Sequence, residues 1–165
     1  MSASPTAASS ATGPDLLRLD YQLCLAIQTA GRAMGGVYRK LLADLGVTYP
    51  QYLVLLALWE HGELSVKRIG ELLRLDSGTL SPLLKRLDAA GLVRRERSTD
   101  DERSVLVRLT GKGAALRDQA EEVPCRLVSA TGLDEAEAAR LRDALYRLSD
   151  SLDESLDDMG SGAHD

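Results

Sequence analysis

The segment between residues 65 and 110 most constrains the fold, because it predicts two short helices followed by a charged hairpin. Ser65 begins a short stretch of helical apolar spacing that ends near Leu73. After the connector RLDSG, a second helix is predicted from about Ser77 to Ala90, with Gly91 as its C-terminal stop. The sequences VRRERS and SVLVRLT then read as two strands joined by the charged turn TDDER.

This order of elements is that of a winged helix-turn-helix, in which the second helix enters the DNA major groove and the hairpin forms the wing. The whole chain carries a net charge of −5, but residues 64–110 hold ten Lys and Arg against seven Asp and Glu. Residues 134–165 hold three Arg and ten acidic residues. We therefore expect DNA to contact only the basic middle of an acidic chain.

The second helix of this module has small polar side chains near its start and cations further along. Hydroxyl groups suit base edges or phosphates, and Lys and Arg suit phosphates. In the hairpin we choose Arg103 for a narrow minor groove, with Asp101 holding its guanidinium in a bidentate pair. For each single arginine the alternative is an ordinary solvated charge. The candidate DNA-contacting residues are Ser77, Gly78, Thr79, Ser81, Lys85, Arg86, Arg95, Arg97, Asp101 and Arg103.

Further helices are predicted before this module. Residues 1–14 contain Ser, Ala, Thr, Pro and Gly without apolar periodicity, so we expect a disordered lead. From Leu16 to Leu41 apolar residues recur at spacings of three and four, which indicates a long amphipathic helix weakened by glycines. Thr48 caps a second helix that ends near Gly62.

Two more helices are predicted after the hairpin. One runs from about Gly113 to Val123 and is interrupted or bent by Pro124. The other runs from Asp134 to about Leu156. The chain is therefore predicted to be mainly α-helical.

The composition restricts the cellular setting and the chemistry. There is no apolar run of membrane-spanning length and no signal-peptide core, so we expect a cytoplasmic protein. The two cysteines, Cys24 and Cys125, are too few for a disulfide framework, and in a reducing cytosol they are inert, catalytic or redox-sensing. We find no Gly-rich phosphate loop and no metal-ligand cluster, so we expect no cofactor, no metal and no enzyme.

The sequence LDSGTLSPLLKRLDAAGLVRRERSTDDERSVLVRLTGKG resembles the DNA-binding core of the MarR family, including its DxR wing element and the LT that follows. The stretches LDYQLCLAIQ and GVTYPQYLVLLALWEHGELSVKRIGELLRLDSGTL are similar to the organic hydroperoxide resistance regulators within that family. The resemblance is strongest over residues 19–120. It implies a homodimer on a pseudo-palindromic DNA operator. It also implies one domain at 15–158, with dimerisation helices at 15–47 and 113–158, a winged helix-turn-helix at 48–112 and a flexible tail at 159–165.

The resemblance also implies a sensor site. In that branch the cysteine matching Cys24 reacts with peroxide, and tyrosines matching Tyr38 and Tyr49 hydrogen-bond to its thiolate. Cys24 and Tyr38 are fourteen residues apart, which is about 21 Å along one helix, so we expect Tyr38 to reach the thiol from the partner subunit. Gln28 stands where one form of the family has another tyrosine. Family members resolve the oxidised thiol with a second cysteine, here Cys125, or with a small thiol, and both routes stay open.

We therefore expect a DNA-binding repressor that is oxidised by organic hydroperoxides at Cys24 and then releases its operator. One alternative is a MarR-type repressor that responds to a small phenolic ligand, with Cys24 incidental. Another is a thiol peroxidase. A cysteine in an apolar helix stripe is also often an inert core residue.

Overall fold

The computed structural model of the protein describes residues 17–97 and 104–161. The predicted disordered lead, the turn containing Asp101 and Arg103, and residues 162–165 lie outside the described residues. The chain divides into two units, one ending at Gly36 and the other beginning at Val37.

The first unit holds a short 3-10 helix, Leu19–Tyr21, and the start of helix α1, Leu23–Leu41. The predicted first helix is confirmed, but the α-helix begins later than Leu16. None of the side chains in α1 is buried. Apolar residues at helical spacing that stay exposed in the single chain are typical of a face that packs against another molecule.

The second unit contains the remaining helices and a small antiparallel sheet. The helices are α2 Tyr49–His61, α3 Val66–Leu73, α4 Ser77–Ala89, α5 Gly111–Ala120, α6 Glu122–Thr131 and α7 Glu135–Ser161. The strands are β1 Leu64–Ser65, β2 Val93–Arg97 and β3 Val105–Leu109, in the order β1-β3-β2. Among the helices of the described residues, none combines the length and the apolar character that a membrane span needs.

Local caps explain why the helices of this unit begin and end where they do. The Thr48 N–H donates to the Gln51 side chain at 2.8 Å at the start of α2. The Ser65 hydroxyl accepts from the Arg68 N–H at 3.1 Å at the start of α3. Gly62 and Gly91 take positive φ angles of 75° and 71° after α2 and α4, a conformation that glycine adopts without strain.

A core of aliphatic side chains with one tyrosine holds α2, α3 and α4 on the sheet. Its fully buried members include Tyr52, Leu55, Ile69, Leu84 and Val107. Because β3 pairs with both other strands, its buried Val107 fixes the hairpin against the helices. Strand β1 was not predicted, because only its pairing with β3 makes these two residues a strand.

The region around Pro124 agrees only in part with the prediction. Helix α5 ends at Ala120, and Pro124 is the third residue of the separate helix α6. Proline has no N–H for the Ala120 carbonyl four residues earlier, and its ring would clash with that carbonyl in a continuous helix. The predicted interruption at Pro124 is therefore confirmed, although the fifth helix ends before the predicted Val123. Helix α7 also continues to Ser161, past the predicted end near Leu156.

Candidate nucleic-acid interface and thiol site

Helix α4 is positioned by a buried stripe and by a carboxylate at its N-terminus. Leu80, Leu84 and Leu87 are almost fully buried and face the core. The Asp76 carboxylate accepts hydrogen bonds from the Thr79 hydroxyl at 2.7 Å and the Thr79 N–H at 2.9 Å. These bonds, with the hydroxyl contributing most, hold the pKa of Asp76 below its usual value. The N-terminus of α4 thus carries its own anion, where a DNA phosphate would otherwise be favoured.

The opposite face of α4 is open to solvent. All six candidate residues on this helix have exposed side chains or, for the glycine, an exposed backbone: Ser77, Gly78, Thr79, Ser81, Lys85 and Arg86. The hydroxyl of Thr79 donates to Asp76, so towards DNA it offers only its acceptor lone pairs. The structure therefore brings the predicted polar and cationic groups together on one helix face.

The arginines of the hairpin fall into two groups. Arg95 is partly buried, and its Nε donates to Asp88 of α4 at 3.2 Å. Arg108 pairs with Glu96 on the neighbouring strand. Arg97, at the end of β2, is exposed. Two of the cations that the sequence offers are thus held by carboxylates of the protein itself.

The two cysteines lie on different helices, and both are free and exposed. Cys24 is the second residue of α1, and Cys125 lies in α6. Neither is the buried hydrophobe that most free cysteines resemble. In the single chain both thiols are therefore open to reagents in solvent.

The tyrosines that the resemblance assigns to the sensor lie against each other in the second unit. The Tyr38 and Tyr49 ring centroids are 4.2 Å apart with the planes tilted by 32°. The Tyr52 ring centroid lies 6.2 Å from that of Tyr38. Burial, and next the neighbouring phenol of Tyr49, raise the pKa of Tyr38 to about 12. Burial also raises the pKa of Tyr49 and of Tyr52. These phenols keep their protons at neutral pH and can donate hydrogen bonds to an anion.

Three features were not predicted from the sequence. Tyr52 joins the tyrosine pair, and its ring centroid lies 6.2 Å from that of Trp59, with the ring planes at 69°. Trp59 donates through Nε1 to the Gly113 carbonyl at 3.0 Å, which joins α2 to α5. Arg74 connects the helix-turn-helix to α7 through Asp150. Of these three features, only the packing of Tyr52 had a sequence signal, which is the aromatic content of α2. Within residues 17–97 and 104–161, no three His, Cys, Asp or Glu side chains are grouped to hold a metal ion.

The exposed face of α4, the connector before it and the hairpin after it define a winged helix-turn-helix protein of the DNA-binding class. Residues 37–120 match the model of the family described as Transcriptional regulator SarA/Rot. The chain belongs to the MarR family of winged-helix transcriptional regulators, in the branch of the organic hydroperoxide resistance regulators.

Two curated relatives illustrate this membership. The organic hydroperoxide resistance transcriptional regulator of Bacillus subtilis (strain 168) is 46% identical over 138 residues, which cover 84% of this chain and 94% of the relative. The HTH-type transcriptional regulator TtmR of Methylorubrum extorquens (strain PA1) is 52% identical over 134 residues, covering 81% and 69% of the two chains.

Solved structures give the same fold. Reduced AbfR bound to DNA is 36% identical with a TM-score of 0.70, and the match covers 82% of this chain and 94% of that one. A mutant of MarR from E. coli, complexed with operator DNA, is 27% identical with a TM-score of 0.69, and the match covers 76% of this chain and 92% of that one. Both are similar to this chain over almost their whole length.

Proposed function

We propose that this protein is a transcriptional repressor that binds operator DNA when reduced and releases it when an organic hydroperoxide oxidises Cys24. The observation that carries the proposal is the 46% identity to an organic hydroperoxide resistance regulator over 94% of its length. The fold agrees with this role, since α4 presents an exposed polar face next to a basic hairpin. Because a repressor works on chromosomal DNA, the proposal implies a cytoplasmic protein.

The first turns of α4 contact the base edges. Ser77, Gly78, Thr79 and Ser81 present small groups that allow close approach to base edges. Lys85 and Arg86 lie further along the helix and contact phosphates. Since Asp76 occupies the helix N-terminus, phosphate affinity depends on these cations rather than on the helix dipole.

The wing contributes a second set of contacts. Arg97 is exposed on β2 and contacts the phosphate backbone of the DNA. Arg103, in the turn outside the described residues, enters the minor groove with Asp101 as its partner. Arg95 contributes differently, because its bond to Asp88 fastens the wing to α4. Arg103→Ala should weaken DNA binding without changing thiol reactivity, and unchanged affinity would remove Arg103 from the interface.

A homodimer completes the molecule. In the first unit, Leu23, Leu25 and Ile27 of α1 are exposed, and in the second unit Leu141, Leu145 and Leu152 of α7 are exposed. Exposed apolar side chains in this number indicate surfaces that a second copy covers. Two recognition helices related by a two-fold axis match the half-sites of a pseudo-palindromic operator.

The sensor chemistry belongs to Cys24. Its thiolate attacks one peroxide oxygen, and the O–O bond breaks with its electron pair leaving on the alkoxide, which takes a proton and departs as an alcohol. The sulfur is thereby oxidised to a sulfenic acid and the peroxide is reduced. Tyr38 and Tyr49 stay protonated at neutral pH, so their hydroxyls donate to and stabilise the thiolate.

Tyr38 acts on the thiol from the partner subunit. Cys24 and Tyr38 are fourteen residues apart in the sequence, and fourteen helical residues correspond to about 21 Å. Gln28, one turn after Cys24, offers a weaker donor than a tyrosine in that place. The exposed Cys125 or a small thiol then converts the sulfenic acid to a disulfide.

A gel-shift experiment on operator DNA tests the proposal. Wild-type protein, Cys24→Ser and Cys125→Ser are each treated with cumene hydroperoxide and then with reductant. Wild type should release the DNA after peroxide and bind it again after reductant, while Cys24→Ser should stay bound throughout. Release of Cys24→Ser by peroxide would contradict the sensor role. Cys125→Ser separates the two resolution routes on non-reducing gels: a disulfide formed under peroxide alone needs Cys125, whereas a mixed disulfide formed only when a small thiol is added does not.

A second candidate function is control by a small phenolic ligand. Between α2, α5 and α6 lies an open groove of about 380 Å³, with Tyr52, Leu56, Trp59 and Pro124 on its walls and Arg117 at its edge. A phenol matches this lining, because its ring packs on the apolar walls and its hydroxyl can donate to Glu60 or Glu121, which also line the groove. In that case the ligand would release DNA from Cys24→Ser as well as from wild type.

The protein itself is not an enzyme under either proposal. Its relatives are transcriptional regulators. In an assay with cumene hydroperoxide and excess dithiol, each subunit should consume only a few peroxide molecules, and slowly. Many fast turnovers per subunit would instead favour a thiol peroxidase.

A further inference from the structure

The connector between α3 and α4 contains an arginine where the backbone favours glycine. Arg74 has a φ of 52°, the one positive φ at a non-glycine position among the described residues. The Leu75 N–H donates to the Gly70 carbonyl at 2.9 Å and the Arg74 N–H to the Glu71 carbonyl at 3.4 Å, the bonding pattern of a Schellman motif. Since glycine takes this conformation without strain, the backbone does not explain an arginine here.

The side chain of Arg74 provides the explanation, because it reaches α7. Its Nη2 donates to Asp150 Oδ1 at 2.7 Å, and its Nη1 lies 3.7 Å from Asp153 Oδ2. The guanidinium carbon lies 5.7 Å from the centroid of the Tyr146 ring, within cation–π distance. These three partners are spaced along one face of α7. Arg74 therefore ties the helix-turn-helix connector to the long C-terminal helix.

Helix α7 also carries the exposed apolar side chains Leu141, Leu145 and Leu152, which the proposed function assigns to contact with a second copy. Arg74 lies two residues before the Asp76 cap of α4. The contacts of Arg74 thus link the start of the recognition helix to a helix of the proposed dimer interface.

We propose that the pairing of Arg74 with Tyr146, Asp150 and Asp153, hereafter the α7 tether, transmits the oxidation of Cys24 from helix α7 of the dimer interface to the helix-turn-helix. Arg74 is a positioning residue in this scheme, because it contacts neither the thiol nor the peroxide. The inference rests on the proposed function, since it needs an oxidation event to transmit. In this scheme the tether displaces α4 after Cys24 is oxidised, and the displacement of α4 ends operator binding.

A purely structural ion pair would behave differently in one measurable respect. Exposed pairs contribute little to stability, so the readout must be coupling rather than unfolding. The coupling is the ratio of the operator dissociation constant after cumene hydroperoxide to the constant before it. A structural pair would change both constants alike and leave this ratio unchanged.

Arg74→Gly is the main test, because it removes the side chain and suits the backbone conformation. We expect the ratio to fall about five-fold, from one exposed ion pair and one cation–π contact. The rate at which peroxide consumes the Cys24 thiol should not change. Arg68→Ala is the matched control, since Arg68 pairs at 3.1 Å with Glu71 inside α3 and does not reach α7. It should keep the wild-type ratio.

A charge exchange tests the tether independently. Arg74→Asp alone places three carboxylates together and should lower the ratio further, whereas Arg74→Asp with Asp150→Arg restores an opposite pair and should recover most of it. A wild-type ratio in Arg74→Gly, or no recovery in the exchanged variant, would overturn the tether alone. Failure of peroxide to release the wild-type protein would refute the proposed function and the tether together.

Discussion

Tyr38→Phe is expected to reduce the loss of stability of this protein at alkaline pH. The substitution keeps the ring that packs at 4.2 Å on Tyr49 and removes the hydroxyl whose pKa is raised from 10.0 to about 12. A raised folded-state pKa means that the folded protein holds this proton more tightly than the unfolded chain does. The corresponding stability is fully present below pH 10 and is lost as the pH rises to about 12.

The size of the effect follows from the shift. Two pKa units correspond to about 2.7 kcal/mol, but the Tyr38 ring is only partly buried, so solvent screening reduces this to about 1 kcal/mol. Tyr49 and Tyr52 have pKa values shifted in the same direction and stay in the variant. The alkaline loss should therefore become smaller in Tyr38→Phe without disappearing.

Urea unfolding at pH 8.5 and pH 11.5 measures this loss, and absorbance near 295 nm follows phenolate formation over the same range. Wild type should lose about 1 kcal/mol more than Tyr38→Phe between the two pH values. Tyr21→Phe, which removes a hydroxyl from an exposed ring, is the control and should match wild type. An equal alkaline loss in Tyr38→Phe and wild type would refute the assignment of the raised pKa to Tyr38.

Three further predictions concern the frame that carries the interface, and urea unfolding at neutral pH measures each of them. Trp59→Phe removes the donor to the Gly113 carbonyl and should destabilise the fold by about 1–2 kcal/mol; an unchanged midpoint would contradict the bond. Gly113→Ala would place a Cβ against the Leu92 carbonyl oxygen and should cost roughly 3 kcal/mol, so an unchanged midpoint would contradict this close approach, whereas Gly111→Ala enters open space and should be close to neutral. Ile69→Ala empties a fully buried position and should cost about 2–5 kcal/mol, so a smaller loss would mean that the core refills the space.

Local chemistry made the helix-turn-helix predictable from the sequence. Ser65 caps α3 with its own hydroxyl, and Gly91 supplies the positive φ that ends α4. The hairpin was predictable because the strand-like segments VRRERS and SVLVRLT flank the charged turn TDDER. Each of these signals acts within a few residues, so the chain carries it before any tertiary contact forms.

Features that depend on distant residues were not predictable. The two-residue strand β1 exists through the pairing of Leu64 with Val107. The bond between Arg95 and Asp88 depends on how β2 lies against α4, although the residues are only seven positions apart. The interruption at Pro124 was predictable from the missing proline N–H, but the short helix α6 that follows was not. The sensor tyrosines were assigned by resemblance, and their mutual packing came only with the structure.

The arginine contacts at the two ends of α4 indicate how a change elsewhere reaches the DNA-reading face. At its C-terminal part, Asp88 holds Arg95 of β2, so the wing is fastened to the helix. Before its N-terminus, Arg74 pairs with Asp150 of α7. Because both links involve α4 or its connector, the proposed tether would carry a displacement of α7 to the recognition helix and the wing together. In a two-fold dimer such a movement alters the spacing of the two α4 helices, and an operator with fixed half-site separation responds to that spacing.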